Sequence, residues 1–382
     1  MRSISKDKYE TLVNFLQEKQ IDLLLILDSE NSRNINLQYL SGHPTDAIII
    51  ITSNGESILI PWDIALAEKH SEVDEILDPC NFQYNTYKAI KHLIEEKWKK
   101  SSITVGVHEF TPYGFIIKTK KLMPEVKFFK EPIQINRLLQ ELRATKNEYE
   151  LNQLIRSAQI GSDVIQDIRK FCENAGDDTE QDLSFLVRKK MLEYGADDIA
   201  FESLVANTNR SHEIHCYPFA SNQMFALQGL ALIDFGAKYH GYCSDITVPI
   251  SFGTLSEEQQ KMRDITLKSY ETAIEMIDIG VPFWKVHEAV EEILKKEGYI
   301  MPYALGHGLG LSEHDSPIIS QKPTDEYSLK YWKEESFQNG MVFTIEPGVY
   351  KQGWGGFRIE NDVIIRNNKV EIITKSQYLQ IT

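Results

Sequence analysis

Residues 231–250 read ALIDFGAKYHGYCSDITVPI, two apolar runs flanking a turn around Tyr239 and His240. The pattern is that of a β-hairpin. If it closes symmetrically, Asp234 and Asp245 fall opposite one another, and two carboxylates facing across a ladder repel unless something positive lies between them. A second stretch, MVFTIEPGVYKQGWGGFRIENDVII at 341–365, repeats the strand-turn-strand pattern with its glycines at 353, 355 and 356. It places Glu346 and Glu360 on neighbouring strands, so the same conflict recurs. His307 lies between, in GHGLGL at 306–311, where the glycines permit close backbone approach. Four carboxylates and one imidazole make a donor set for two hard divalent cations, favouring Mn, Co, Fe or Zn over copper.

The chain around these stretches has 382 residues, 42% apolar and 25% charged, which is globular composition with room for two domains. The formal charge of −15 opposes binding to nucleic acid or to anionic membrane surfaces. No apolar run is long enough to span a bilayer, and the N-terminal residues, with Arg2, Lys6, Asp7, Lys8 and Glu10, hold no apolar leader. The four cysteines, Cys80, Cys172, Cys216 and Cys243, include no CxxC pair and are read as reduced thiols, with Cys216 and Cys243 as packing residues. A cytoplasmic location is expected.

The first 130 or so residues alternate short strand and helix signals. DLLLILD at 22–28 and SITVGV at 102–107 read as strands, and AIIIITSNGESILIP at 47–61 as a hairpin around Asn54-Gly55. Helices are expected from Ser5 to Gln20, Asn85 to Lys99 and Pro112 to Met123. From Pro132 onward the apolar spacing becomes helical over a long stretch, which sets a domain boundary near residue 135. Beyond it, helices are expected from Thr179 to Glu193, from Ser256 to Ile277 and from Val286 to Lys296, with Ser256 as a helix start. His43 and His240 sit in turns and are read as polar surface residues.

Two cations held about 3.5–4 Å apart lower the pKa of a water between them and polarise a carbonyl, two requirements of amide hydrolysis. The ordered motifs FESLVANTNRSHEIHCYP (201–218), ALIDFGAKYHGYCSDITVP (231–249), GHGLGLSEHDSP (306–317), TIEPGVY (344–350) and FRIEND (357–362) resemble the metallopeptidases that include prolidase, aminopeptidase P and methionine aminopeptidase. YLSGH at 39–43 resembles the creatinase-type N-terminal domain of the proline-directed members. The resemblance implies an α/β (α+β) chain, with a creatinase-like domain over 1–135 and a pita-bread catalytic domain over 136–382. It implies that Asp234 chelates one metal, that Asp245 and Glu360 bridge both, and that His307 and Glu346 complete the second. Glu346 is then also the general base for the bridging water.

His215 and His314 are the implied catalytic histidines, hydrogen-bonding the scissile peptide and stabilising the tetrahedral intermediate; His215 is preferred to His212 for its distance from FESLVA. Arg358, on the strand face of Glu360, is implied to hold a carboxylate or another acidic neighbour in place, and it and Tyr303, where proline-directed relatives often place histidine, are the expected substrate-binding residues. The implied activity is hydrolysis of the Xaa-Pro bond at peptide N-termini by a metal-bridging hydroxide, as an aminopeptidase or a dipeptidase. Manganese is the expected metal, cobalt or zinc being compatible, and a homodimer is implied. The alternatives are a related C–N hydrolase acting on a small non-peptide amide, and a non-catalytic peptide-binding protein on the same fold. Residues Ile318 to Asn339 hold no arginine, the residue with which prolidases commonly bind a dipeptide's free carboxylate; Lys322, Lys330 and Lys333 are the cations available there.

Overall fold

The chain divides into two compact units, Met1–Arg143 and Ala144–Thr382. The computed structural model describes residues 4–99 and 101–382; Arg2, in the charged N-terminal stretch, lies outside the described residues. The first unit contains α1 (Lys6–Glu18), β1 (Leu23–Asp28), α2 (Ile35–Ser41), β2 (Ala47–Thr52), β3 (Ser57–Pro61), α3 (Ile64–His70), β4 (Glu75–Ile76), α4 (Thr86–His92), β5 (Ile103–Val107), α5 (Tyr113–Leu122), β6 (Val126–Phe128) and α6 (Pro132–Ala144). Its sheet runs β4-β3-β2-β1-β5-β6, antiparallel in the centre and parallel toward both edges. Leu23, Leu25, Ile48, Ile50, Ile58 and Ile60 pack against Ala89 and Ile90 of α4 and Phe115 of α5. The Asn54-Gly55 signal marks the β2–β3 turn, where Gly55 takes φ +87° and donates its N–H to the Thr52 carbonyl at 2.9 Å. The change of pattern near residue 135 falls inside α6, and the division between units falls at that helix's end.

The second unit opens with α7 (Glu148–Asn174) and α8 (Glu180–Glu193), followed by β7 (Asp198–Ile199), β8 (Leu204–Ala206), β9 (Gly229–Phe235), β10 (Ala237–Tyr239), β11 (Tyr242–Cys243) and β12 (Ile246–Phe252). Next come α9 (Glu257–Met276), α10 (Phe283–Lys296), β13 (Gly306–Gly308), β14 (Asp315–Ile319), α11 (Glu326–Tyr331), β15 (Val342–Ile345), β16 (Gly348–Lys351), β17 (Gly355–Arg358), β18 (Asn361–Arg366), β19 (Lys369–Ile372) and β20 (Leu379–Ile381). Capping boxes start three helices, at Asn147 for α7, Thr179 for α8 and Ser256 for α9.

One sheet runs β20-β12-β9-β8 and another β14-β13-β15-β18-β19. On the first, Ala231, Ile233, Ile246 and Val248 pack under Ile160 and Val164 of α7 and Leu183 and Val187 of α8. On the second, Phe343, Ile345, Val363 and Ile365 pack under Met262 of α9 and Val286 and Val290 of α10. Side chains on a strand alternate between faces. With those apolar residues turned to the helices, Asp234, Thr247, Thr344, Glu346, Glu360 and Asp362 occupy the opposite phase. The alternation that builds the two cores therefore also gathers the acidic residues on the faces away from the helices.

Candidate metal centre

The first hairpin does not close where the sequence places it. His240 and Gly241, at φ +48° and +86°, form its two-residue turn, since two left-handed residues suit the twist of the flanking strands. Tyr239 pairs with Tyr242, Lys238 with Cys243, and Asp234 with Thr247, so Asp234 and Asp245 are not opposite one another. Because the register differs by two residues, the pleat still turns both carboxylates to one face, as diagonal neighbours. His240 is exposed on this turn, as expected, whereas His43 is fully enclosed, its ring nitrogens 3.5 Å from Thr45 Oγ1 and Ser71 Oγ.

In the second hairpin, Ile345 pairs with Asn361 and Gly348 with Arg358. That one register sets Glu346 and Glu360 opposite each other in the gap between the two ladders, as the sequence predicts. His307 enters on β13, where the β13–β14 register shifts after His307. A Cβ on Gly306 would lie 1.9 Å from the Thr344 carbonyl oxygen, and one on Gly308 would lie 2.0 Å from that of Ser316. Only glycine lets three strands meet around this histidine.

These elements bring ligand atoms of Asp245, His307 and Glu360 within 4.8 Å of one another. His307 Nε2 lies 3.3 Å from Glu346 Oε1 and 3.7 Å from Asp245 Oδ2. Asp234 joins through its neighbours: its Oδ2 accepts from Arg358 Nη2 at 2.6 Å, while Arg358 Nε donates to Thr247 Oγ1 at 2.8 Å and Thr247 Oγ1 to Glu360 Oε2 at 2.7 Å. Burial drives the carboxyl groups of Asp245 and Glu360 well above the ordinary carboxylate range, and the surrounding carboxylates push them further. Burial alone would lower the His307 pKa, but the hydrogen bond and charge of Glu346 outweigh it and raise the value.

The donor set fits divalent cations on two counts. Asp234 Oδ1 and Asp245 Oδ1 are enclosed without a hydrogen-bond partner among the described residues, which is costly for a carboxylate oxygen unless a cation takes that place. The oxygen-rich set with one imidazole is also that of a hard or borderline ion, whose charge would reverse the crowding among the acids.

Arg358 holds the Asp234 carboxylate in place, one of the two roles expected of it. It is 2% exposed, and its guanidinium is spent on Asp234, Thr247, the Tyr350 hydroxyl at 2.7 Å and the Ile214 carbonyl at 3.4 Å. Tyr303 is half-buried; its hydroxyl lies 2.6 Å from that of Tyr350 and donates to the Glu346 carbonyl at 3.3 Å. His314 is exposed, with its ring 4.1 Å from that of His307. His215 is exposed one residue beyond Ile214 and has no side-chain hydrogen bond among the described residues; His212 is half-buried with Nδ1 unpartnered.

Sequence reasoning missed Thr247, Thr344, Tyr350 and Asp362. Thr344 Oγ1 donates to Glu346 Oε1 at 3.3 Å and accepts from His307 N at 3.1 Å, and Asp362 Oδ1 accepts from Asp245 N at 3.2 Å. Three of the four stand two residues from a ligand on the same strand face, so a period-two scan outward from each ligand would have found them. A cavity of about 300 Å³ in the first unit, walled by Ile48, Trp62, Phe82, Tyr87 and Phe115, contains none of the expected site residues.

Residues 152–367 match metallopeptidase family M24, and residues 8–145 match the creatinase/prolidase N-terminal domain. The chain is 28% identical to an Xaa-Pro dipeptidase of Pyrococcus horikoshii over 382 residues, covering 98% of each protein. It resembles the crystal structure of the prolidase from Pyrococcus horikoshii, with a TM-score of 0.81 and 27% identity over 98% of this chain and 99% of that one. It resembles the X-Pro aminopeptidase from Thermotoga maritima equally, with a TM-score of 0.81 and 26% identity over the same shares. With acidic strand faces in the two hairpins, a glycine-flanked histidine between them and matches that span both units, the chain belongs to metallopeptidase family M24, in its creatinase, prolidase and aminopeptidase P branch, with the pita-bread fold in its second unit.

Proposed function

We propose that the chain is a metal-dependent exopeptidase that hydrolyses the Xaa-Pro bond at peptide N-termini. What supports this is the cluster of Asp245, His307 and Glu360, with Glu346 beside His307, Asp234 tied to Glu360 through Arg358 and Thr247, and two orphaned carboxylate oxygens among them. Asp234, Asp245, His307, Glu346 and Glu360 would hold two divalent ions, manganese first. Bound there, such ions supply an acidified water and polarise the scissile carbonyl.

The chain's own groups do the rest. Glu346 Oε1, oriented by Thr344 Oγ1, takes the proton of the attacking water and returns it to the leaving proline nitrogen. His314, its ring tilted against that of His307, and His215 donate hydrogen bonds to the peptide and to the oxyanion that develops on its carbonyl. Arg358 holds Asp234 rather than substrate, with Tyr350 and Tyr303 fixing its far side. Tyr303 would also contact the substrate. The working form is a cytoplasmic homodimer.

The test offers Mn-loaded protein an Xaa-Pro dipeptide and an Xaa-Pro-Xaa tripeptide side by side and measures release of the first residue. Hydrolysis that disappears on chelation and returns with metal is expected. Failure to bind any divalent ion, together with no turnover of either peptide, would overturn the proposal. The arginine-free stretch from Ile318 to Asn339 favours the longer peptide, because a guanidinium fork matches a free carboxylate and a lysine does so less well.

A further inference from the structure

We propose that Glu180 and Arg210 form a buried clasp that positions the His215 segment, residues 207–221, against the ligand-bearing strands. The inference rests on the function proposed above, and both residues are positioning rather than catalytic residues.

Glu180, the first residue of α8, is wholly buried. Its Oε1 accepts from Asn207 N at 2.9 Å, and its Oε2 accepts from Ser221 N at 2.8 Å and Ser221 Oγ at 2.6 Å. Arg210, 8% exposed, completes the arrangement, with Nη1 on Glu180 Oε2 and Nη2 on the Pro218 carbonyl. One carboxylate thus ties both ends of the segment, and the arginine fork ties its two limbs to each other.

The segment is fastened again on its other side. Ser211 Oγ donates to the Leu230 carbonyl on β9 at 2.7 Å and accepts from Gly356 N on β17 at 2.9 Å, while the Ile214 carbonyl accepts from Arg358. His215, one residue beyond the Ile214 tie, is exposed, as are Glu213 and residues 217–219 of the same segment. An imidazole on a fixed backbone, with its ring uncommitted, is placed to meet a substrate.

Stability alone does not call for such a clasp. Burying an ion pair in place of apolar side chains is a poor way to gain folding energy, and its best-attested use is to specify one conformation. Glu180 bonds none of the five ligand residues, so its removal separates positioning of the histidine from loss of metal.

The full-length chain, Mn-loaded, would be compared with its Glu180→Gln, Arg210→Lys and Arg210→Ala variants. Three properties are read: kcat and KM on an Xaa-Pro peptide, Mn²⁺ affinity by calorimetry, and amide hydrogen exchange across residues 207–221. A clasp predicts that kcat falls about 10- to 100-fold, the penalty of displacing a reacting group by roughly 1 Å, while KM and metal affinity stay within about twofold. Exchange should quicken in 207–221 and not in α7, and Arg210→Lys, which keeps the charge without the fork, should recover only part of the loss. Unchanged kcat in a metal-replete variant overturns the proposal, as does unchanged exchange in the segment. If Glu180→Gln does not fold, Arg210→Lys carries the same comparison. If the unaltered chain hydrolyses no Xaa-Pro peptide, the functional reading fails by itself; exchange confined to 207–221 then upholds the clasp, and its absence rejects it.

Discussion

Replacing Glu360 with glutamine should stabilise the metal-free chain while abolishing the stabilisation that divalent cations confer. Ligand atoms of Asp245 and Glu360 lie within 4.8 Å. At that separation, with an effective dielectric constant of about 20, two full charges repel by about 3.5 kcal/mol. That is a ceiling, because burial and crowding raise both carboxyl pKa values and some of the repulsion is avoided by taking up a proton.

The sign follows from proton linkage. A carboxyl whose folded-state pKa is raised binds more protons folded than unfolded, so metal-free stability falls as pH rises from the ordinary carboxylate range toward the folded pKa. Glutamine removes one charge and keeps an oxygen to accept the Thr247 hydroxyl bond, so the variant should lose less stability over that window. Near pH 7 the net gain should be about 1–3 kcal/mol, a rise of roughly 3–10 °C in melting temperature for a unit of this size. With Mn²⁺ at about 100 times Kd, the unaltered chain gains about 2.7 kcal/mol per occupied site, and the variant should lose most of that gain. Melting curves in EDTA and in Mn²⁺, at several pH values, decide it. A metal-free variant that melts at or below the parent, or one that keeps the parent's full response to metal, would show that Glu360 neither crowds Asp245 nor binds the ion.

Four further outcomes follow from the same geometry. Arg358→Met strands the Asp234 carboxylate and two hydroxyl partners, so denaturant unfolding should show a loss of about 3–5 kcal/mol; an unmoved midpoint would show that the guanidinium braces nothing. Tyr303→Phe should cost only about 0.5–1.5 kcal/mol in the same assay and leave Mn²⁺ affinity intact, since only the hydroxyl bonds to Tyr350 and the Glu346 carbonyl are lost. Gly306→Ala should weaken metal binding in calorimetry, because its Cβ would drive β13 away from the Thr344 carbonyl; parent-like affinity would contradict the close approach. A thiol reagent should label one cysteine per native chain, Cys80. Burial encloses the other three and pushes their thiols up to about 12 for Cys172, about 11 for Cys216 and about 12 for Cys243, so rapid labelling of a second cysteine would contradict this packing.

Much of the site was legible because its chemistry depends on residue type and local spacing. The opposed positions of Glu346 and Glu360 follow from one hairpin, and the helix starts at Thr179 and Ser256 follow from local capping. The first hairpin was misread by one turn position. The choice between Tyr239-His240 and His240-Gly241 depends on which two residues accept left-handed dihedrals, and a glycine in the pair settles it. Arg358 was placed on the correct strand face, but its partners come from β9, β12, β16 and the His215 segment, which no local pattern joins to it.

By itself, then, the sequence determined the kinds of donor and the alternation that turns them away from the helices, since both are properties of short segments. Tertiary structure decided which donors meet, which oxygens are left without partners, and that Arg358 is spent on Asp234. Those outcomes depend on strands far apart in the chain being brought within hydrogen-bond reach, and on the exclusion of water that makes an unpaired carboxylate oxygen costly.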